Sequence, residues 1–408
     1  MIPLFSQEFN HRCCQCYQVL LLFSMTYYHD TVGANMQLSN ELLASLETPC
    51  LVIDVDQARA NVKAMQKAAD EAGCRLRPHI KTHKMPFFAQ MQVQAGAAGI
   101  TCAKVSEAEV MAQSGLDDIF LAYPVVGAFR IQRVITLSKQ VKRLILGVDS
   151  LACAAALSKA ALDAGVKLEV RLEIDTGLKR TGVPREEAPG LAKTIAEMPG
   201  LNLTGIFTYK GLLHEGAFTQ DNRLAGEEEA LLLETTVREI ENLGIKLKDI
   251  SGGSSPTGLE TARTGKANEI RPGTYIFKDL LLCNENVAKK EDVAVRFAAT
   301  VVSCPREDHA VIDGGSKCFP TDQALNVAPF FHSGYAQIEG HDHLRLARMN
   351  EEHGVITSAA GKTGLSVGQV LTLIPIHVCT AVNMQNSVYL LENGRLRREI
   401  VAARGMLI

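Results

Sequence analysis

Eight short apolar runs, each followed by a helical stretch or a loop, pass along the chain between residues 75 and 277, and they restrict the fold most. They are RLRPHI (75–80), GITCAKV (99–105), DIFLAYPV (118–125), RLILGVD (143–149), LEVRLEID (168–175), LTGIFTY (203–209), LKDISGG (247–253) and EIRPGTYIF (269–277). Strands alternating with helices are the pattern of βα units, and eight of them match a (β/α)8 TIM-type barrel, typically about 250 residues long. The segment from Asp56 to Ala72 puts Ala58, Val62, Met65, Ala69 and Ala72 on one helix face, with Asp56 placed to cap it. A doubly wound open sheet is the alternative, but no Gly-x-Gly-x-x-Gly follows the first strand.

After residue 290 the period changes. VRFAATVVS, HAVIDGG, VLTLIPIHV and SVYLLENGRLRREIV read as strands joined by turns, with no strong amphipathic helix between them. The expected organisation is a barrel over residues 56–290 and a C-terminal β domain over residues 291–408, joined by an N-terminal strand region, residues 37–55, that contains PCLVIDVD. Such a layout leaves a cleft between the barrel mouth and the β domain. Residues 1–36 have no clean period, crowd Cys13, Cys14 and Cys16 together without a second ligand pair, and read as a disordered or non-native leader with Met25 or Met36 as alternative starts.

Composition narrows the function. Apolar residues at 47% and charged residues at 21% are those of an ordinary soluble protein, and a net charge of -3 argues against a general nucleic-acid binder. VLLLF (19–23) is too short for a secretion signal or a membrane span, and eleven scattered cysteines then suit a reducing, cytoplasmic setting. Cys102, Cys153, Cys283, Cys304 and Cys318 lack ligand spacing and read as buried thiols.

Barrels place their active sites at the C-terminal ends of the strands. Those ends carry Lys81, Tyr123, Asp149, Asp175, Tyr209, the turn SGGSSPT (251–257) and the segment RPGTY. Glycine-freed amides leading into a helix suit a phosphate, and the loops after strands 7 and 8 are its usual place in a barrel. Lys81 lies in RPHIKTHKMP (77–86), and a lysine partly desolvated among cations has a lowered pKa and a nucleophilic amine. A Schiff-base lysine with a phosphate site implies pyridoxal phosphate. Ser106 and Glu109 match a capping box.

TPCLVIDVDQARAN, RPHIKTHKMP, AKVSEAEVM, EIDTGLKRTGV, SGGSSPT, EIRPGTYIF, NEEHG and IPIHVC follow one another in an order that resembles the D-threonine aldolase and D-serine dehydratase family of fold-type III, alanine racemase-like pyridoxal phosphate enzymes. The resemblance runs from Thr48 to Gly405. It implies that Lys81, not Lys84, forms the Schiff base, Lys84 being solvent-facing or structural. It further implies that Arg180 reaches the cofactor ring and that Tyr209, Gly252, Gly253, Ser254, Gly273 and Thr274 hold ring and phosphate. His377 and Cys379, read as sharing one face of a strand, would bind a divalent metal; a thiolate favours zinc over manganese or magnesium. His214 is a candidate for proton transfer and His353 for a polar contact with substrate; His79 and His83 receive no role.

The reaction implied is metal-assisted retro-aldol cleavage of a D-3-hydroxy amino acid to glycine and an aldehyde. D-serine dehydration is the alternative, and an amino-acid racemase or a non-enzymatic pyridoxal phosphate-binding protein are the further rivals. The family resemblance also implies a homodimer, while the net charge and the short apolar run give no sign of a nucleic-acid or membrane partner.

Overall fold

The computed structural model describes residues 38–408, which fall within one compact unit; the segment 1–36 lies outside them, apart from any structural account. The first strand, β1 (Cys50–Asp54), is followed by helix α1 (Val55–Glu71). The helix starts two residues earlier than its sequence pattern suggests, because Asp54, rather than Asp56, accepts the Gln57 amide at 2.9 Å. Asp56 instead pairs with Arg59.

All eight expected barrel strands form, as β2 (Arg75–Leu76), β3 (Ile100–Cys102), β4 (Asp118–Pro124), β5 (Arg143–Val148), β6 (Leu168–Asp175), β7 (Leu201–Phe207), β8 (Asp249–Gly252) and β9 (Glu269–Ile270). From β3 to β9 each pairs in parallel with the next. The ring closes where β9 pairs with β2 and where His79 bridges Thr101. Strands enclosed by helices must be apolar on nearly every residue, and β5 is buried at five of its six positions.

Inside, the barrel departs from an aliphatic filling. Arg77 and Arg171, both fully buried, grip the equally buried Glu269, with Arg77 Nε donating to Oε2 at 2.9 Å; Arg171 also reaches Asp249 at 3.0 Å. Phe120 and Phe207 stack edge-to-face above this ionic floor, and the Arg171 guanidinium lies 4.7 Å from the Phe120 ring. The floor is thus closed by matched charge, and the mouth is left to the strands' other ends.

Beyond the barrel come β10 (Val295–Arg306), β11 (His309–Ile312), β12 (Ala336–Ile338), β13 (Leu344–Met349), β14 (Gly354–Ser358), β15 (Val370–Pro375), β16 (Ser387–Glu392) and β17 (Arg395–Ile400). β10, β11, β14, β13, β12 and β15 pair in that order and close back on β10, giving an antiparallel barrel. β12, β13 and β14 are invisible as apolar runs because they are short or alternate with arginine. The early strand β1 joins this sheet, antiparallel to β10 and parallel to β16. Asn393 and Gly394, both at positive φ, make the two-residue turn between β16 and β17.

Candidate active site

The strand ends of the barrel surround a cavity of about 760 Å³ that reaches to the β domain. Lys81 enters it from a short 3-10 turn (Ile80–Thr82) after β2, and its amide donates to Nδ1 of His79 at 3.4 Å. Its Nζ lies 5.7 Å from the centre of the Tyr209 ring, over which the Arg180 guanidinium also sits at 4.7 Å. Burial first, and then Lys81, Arg271, Lys84 and Arg180, push the His79 imidazole well below its usual pKa, so it stays neutral.

Opposite Lys81, β8 runs into the turn of Gly253, Ser254 and Ser255. Gly253 has φ +71° and passes so close to Gly258 that a Cβ would lie 2.7 Å from its Cα, so only glycine makes this turn. Ser255 Oγ accepts the amides of Gly273 and Tyr275, each at 3.1 Å, which locks the two loops after β8 and β9 together. Gly253, Ser254, Gly273 and Thr274 all line the cavity. Gly252 does not; its side faces Leu233, Thr261 and Glu229 behind the sheet.

His377 and Cys379 also line the cavity, but not from a strand. β15 stops at Pro375, His377 caps helix α2 (Val378–Met384) and Cys379 lies in its first turn. A cap followed by a helical turn brings the two side chains together where alternation along a strand is absent. The Cys379 sulfur lies 3.2 Å from Thr82 Oγ1 and 3.5 Å from Thr274 Oγ1, so it touches the neighbours of Lys81 and of Gly273. Burial raises the Cys379 pKa, but His377 and Lys81 more than offset it and favour the thiolate. Burial likewise opposes charge on His377, yet the thiolate and the Asp322 carboxylate raise the imidazole to about 11.

Other expected residues fall elsewhere. His214 sits in a small hairpin, paired with Ala217, and does not line the cavity although Leu212 and Phe218 of the same segment do. His353 is exposed and also absent from the lining. Lys84 is 5% exposed and pairs with the buried Glu107 at 3.0 Å, so it is structural and not solvent-facing. His83 is buried, with Nε2 beside Gln92 and Nδ1 accepting the Met85 amide, and burial pulls it to about 4. No capping box forms: Glu109 pairs with Arg133, and Ser106 Oγ donates to the carbonyl of Ile408. Cys102 and Cys153 are buried, whereas Cys283, Cys304 and Cys318 are only half-buried.

Residues that no sequence pattern marks stand in the cavity wall or, for Asp322, behind it. Asp322 Oδ2 lies 2.6 Å from His377 Nδ1, Arg271 donates to Ser251 Oγ at 2.6 Å, and Glu285 ends the helix Leu280–Asn284. Glu173 accepts Thr181 Oγ1 at 2.8 Å, while its other oxygen is buried without a partner.

A phosphate-bearing ring fits this site. The glycine turns leave backbone close to the cavity, the lysine faces across from them, and the unpartnered Glu173 oxygen offers an acceptor to a ligand donor. A metal ion fits too, as a two-ligand open site. Among the described residues no three His, Cys, Asp or Glu side chains gather for a closed shell, and Asp322 holds Nδ1 of His377 so that Nε2 is the nitrogen left for a metal. No helix among the described residues is long and apolar enough to cross a membrane.

A barrel with a lysine at its mouth, a glycine-serine turn after β8 and a β domain closing over it defines the alanine racemase-like class of pyridoxal phosphate enzymes. The chain matches the family described as alanine racemase, N-terminal domain, over residues 53–280, and that described as putative serine dehydratase domain over residues 294–391. It is 30% identical over 359 residues to a D-threonine aldolase of Arthrobacter sp., covering 86% of this chain and 91% of that one. It is 31% identical over 353 residues to a D-threo-3-hydroxyaspartate dehydratase of Delftia sp., covering 83% and 92%. A solved D-threo-3-hydroxyaspartate dehydratase variant in its metal-free form superposes with a TM-score of 0.79 at 30% identity, over 87% of this chain and 97% of that one. The chain therefore belongs to the fold-type III family of pyridoxal phosphate-dependent lyases that includes D-threonine aldolase and D-threo-3-hydroxyaspartate dehydratase.

Proposed function

We propose that the protein cleaves D-3-hydroxy amino acids to glycine and an aldehyde, using pyridoxal phosphate and a divalent metal. The observation that carries this is that Lys81 and the His377–Cys379 pair open on one cavity and meet through Thr82. Bound together, the cofactor supplies an electron sink and the metal a Lewis acid for the β-hydroxyl.

The chain's own residues do the rest. Lys81 anchors the cofactor, Tyr209 and Arg180 bear on its ring, and Gly253, Ser254, Gly273 and Thr274 cradle its phosphate, with Gly252 shaping the turn from behind. His377 and Cys379 hold the metal, and the thiolate supports zinc, with manganese or magnesium the harder alternatives. Lys81 Nζ moves the proton at Cα: it delivers one when Cα–Cβ breaks, or removes one if the hydroxyl leaves as water instead. That second path, β-elimination, is the alternative reading, supported by Cys379 and by the Delftia relative. Residues 56–290 act as the cofactor-binding unit, and residues 37–55 with 291–408 as the unit that carries the metal pair. The protein works as a cytoplasmic homodimer; the free state of all eight described cysteines supports the reducing setting.

Incubation of purified protein with D-threonine and D-serine, followed by separate assays for aldehyde and 2-oxo acid, tests the reaction. Acetaldehyde from D-threonine is expected; pyruvate from D-serine without acetaldehyde would establish the elimination reading instead. Conversion of either D-amino acid to its Cα epimer, unaffected by thorough chelation and without aldehyde or 2-oxo acid, would point to a racemase.

A further inference from the structure

Glu173 lies near the end of β6, two residues beyond the Arg171 of the barrel floor, and is 4% exposed where it joins the cavity wall. Its Oε1 accepts Thr181 Oγ1 at 2.8 Å, and its Oε2 is buried with no partner. A carboxylate oxygen stripped of water and left unbonded is costly, so the contact that satisfies it belongs to another state of the site.

Two cations act on this carboxylate. Burial raises the Glu173 pKa, and the Thr181 hydrogen bond, then the Arg180 charge and more weakly Arg271 pull it back. Arg271 is committed, since it donates to Ser251 Oγ and to the Thr208 carbonyl. Arg180 is not. Among the described residues its guanidinium pairs with no carboxylate and lies instead over the Tyr209 ring, 4.7 Å from the centre. The backbone that carries it is pinned. Asp175 Oδ1 accepts the Gly177 and Lys179 amides at 2.9 and 3.1 Å, Val183 returns to pair with Ile174, and a Cβ on Gly182 would lie 2.6 Å from the Asp175 nitrogen. Thr181, the next residue, is the one bonded to Glu173, so the long Arg180 side chain is the part left to swing.

Arg180 and Tyr209 both line the cavity, so the guanidinium covers the cavity face of the Tyr209 ring. A planar ring stacked on that face takes its place. We propose that Glu173 is a positioning residue for Arg180: when the cofactor ring stacks on Tyr209, the displaced guanidinium pairs with the unpartnered Glu173 oxygen and is held at the ring's edge. The inference rests on the proposed function for the place of the ring. The ion pair forms with the cofactor and is absent without it, so Glu173 acts on cofactor affinity through Arg180.

The test compares full-length wild type, Glu173→Gln, Arg180→Met and the double variant, each freed of cofactor and titrated with pyridoxal phosphate by fluorescence. Glu173→Gln should weaken binding about tenfold, and the double variant should bind no more weakly than Arg180→Met, because both changes break one interaction. Losses that multiply in the double variant would mean that the oxygen accepts from the ligand itself, and would overturn the pair. Glu173→Gln keeps the Thr181 bond and removes an unpaired buried charge, so urea unfolding of the cofactor-free protein should find it no less stable than wild type. A less stable variant whose cofactor affinity is unchanged would make Glu173 merely structural and would equally overturn the proposal. Wild-type protein that gains no visible absorption with pyridoxal phosphate sinks the proposed function and the pair together, whereas normal absorption with multiplying losses sinks the pair alone.

Discussion

Asp322 Oδ2 lies 2.6 Å from Nδ1 of His377, and this contact fixes which ring nitrogen faces the cavity. A carboxylate behind a ligating histidine sets its tautomer and raises its basicity, and losing one typically costs about 10–100-fold in metal affinity. Asp322→Asn is therefore expected to weaken zinc binding by that factor, measured by competition with a chelating dye, while the circular dichroism spectrum stays native. Unchanged affinity would mean that His377 is not a ligand.

Lys81 and Lys84 should separate cleanly. Lys81→Ala is expected to abolish the visible absorption that the protein gains with pyridoxal phosphate and to leave the unfolding midpoint nearly unchanged. Lys84→Ala should keep the absorption but strand the buried Glu107, a loss of about 3–5 kcal/mol by urea unfolding. The reverse pattern would assign the reactive amine to Lys84.

Acid should attack the barrel floor. Burial raises the Glu269 carboxyl, but Arg171 and Arg77 overcome this and hold it far below the usual value of 4.5. Since the folded pKa is depressed, the stabilisation is complete above that value and drains away as pH falls toward the folded one. Glu269→Gln should cost about 3–5 kcal/mol at pH 7 and flatten the decline between pH 5 and pH 3. A variant with the wild-type pH slope would show that other carboxylates set the acid limit.

Gly253→Ala should act on cofactor and fold together. A non-glycine residue at φ +71° costs about 1–2 kcal/mol from conformation alone, and the added methyl meets Gly258. Weaker pyridoxal phosphate binding in fluorescence titration is expected alongside a lower melting temperature, whereas Gly252→Ala, which points at Leu233, should lower stability with little effect on binding. Equal loss of binding in both would place the phosphate elsewhere.

The legible parts of this protein are those governed by near neighbours in the chain. Eight barrel strands showed because their runs are apolar for several residues, and Lys81, the Gly253 turn and the His377–Cys379 spacing are local patterns. The sequence does not separate Asp54 from Asp56 as the cap of α1, because the two are equally good caps by type; the fold uses Asp54. His377 and Cys379 read as strand residues because IPIHV continues an apolar run, and nothing local announces that β15 ends at Pro375. His214 is marked in the sequence by its closeness to Tyr209; in the fold it pairs with Ala217 in a hairpin and is not among the residues that line the cavity.

By itself the sequence determined the alternation of strand and helix, the switch to β structure after residue 290 and the residue types for a lysine-phosphate-metal site, since periodicity and spacing are properties of contiguous chain. Only the tertiary structure decided how those pieces meet. Asp322 reaches His377 across 55 residues, Arg77 reaches Glu269 across 192, and Thr82 meets Cys379 across 297. Contacts of that separation follow from barrel closure and from the packing of the β domain over the mouth, and no local pattern encodes them.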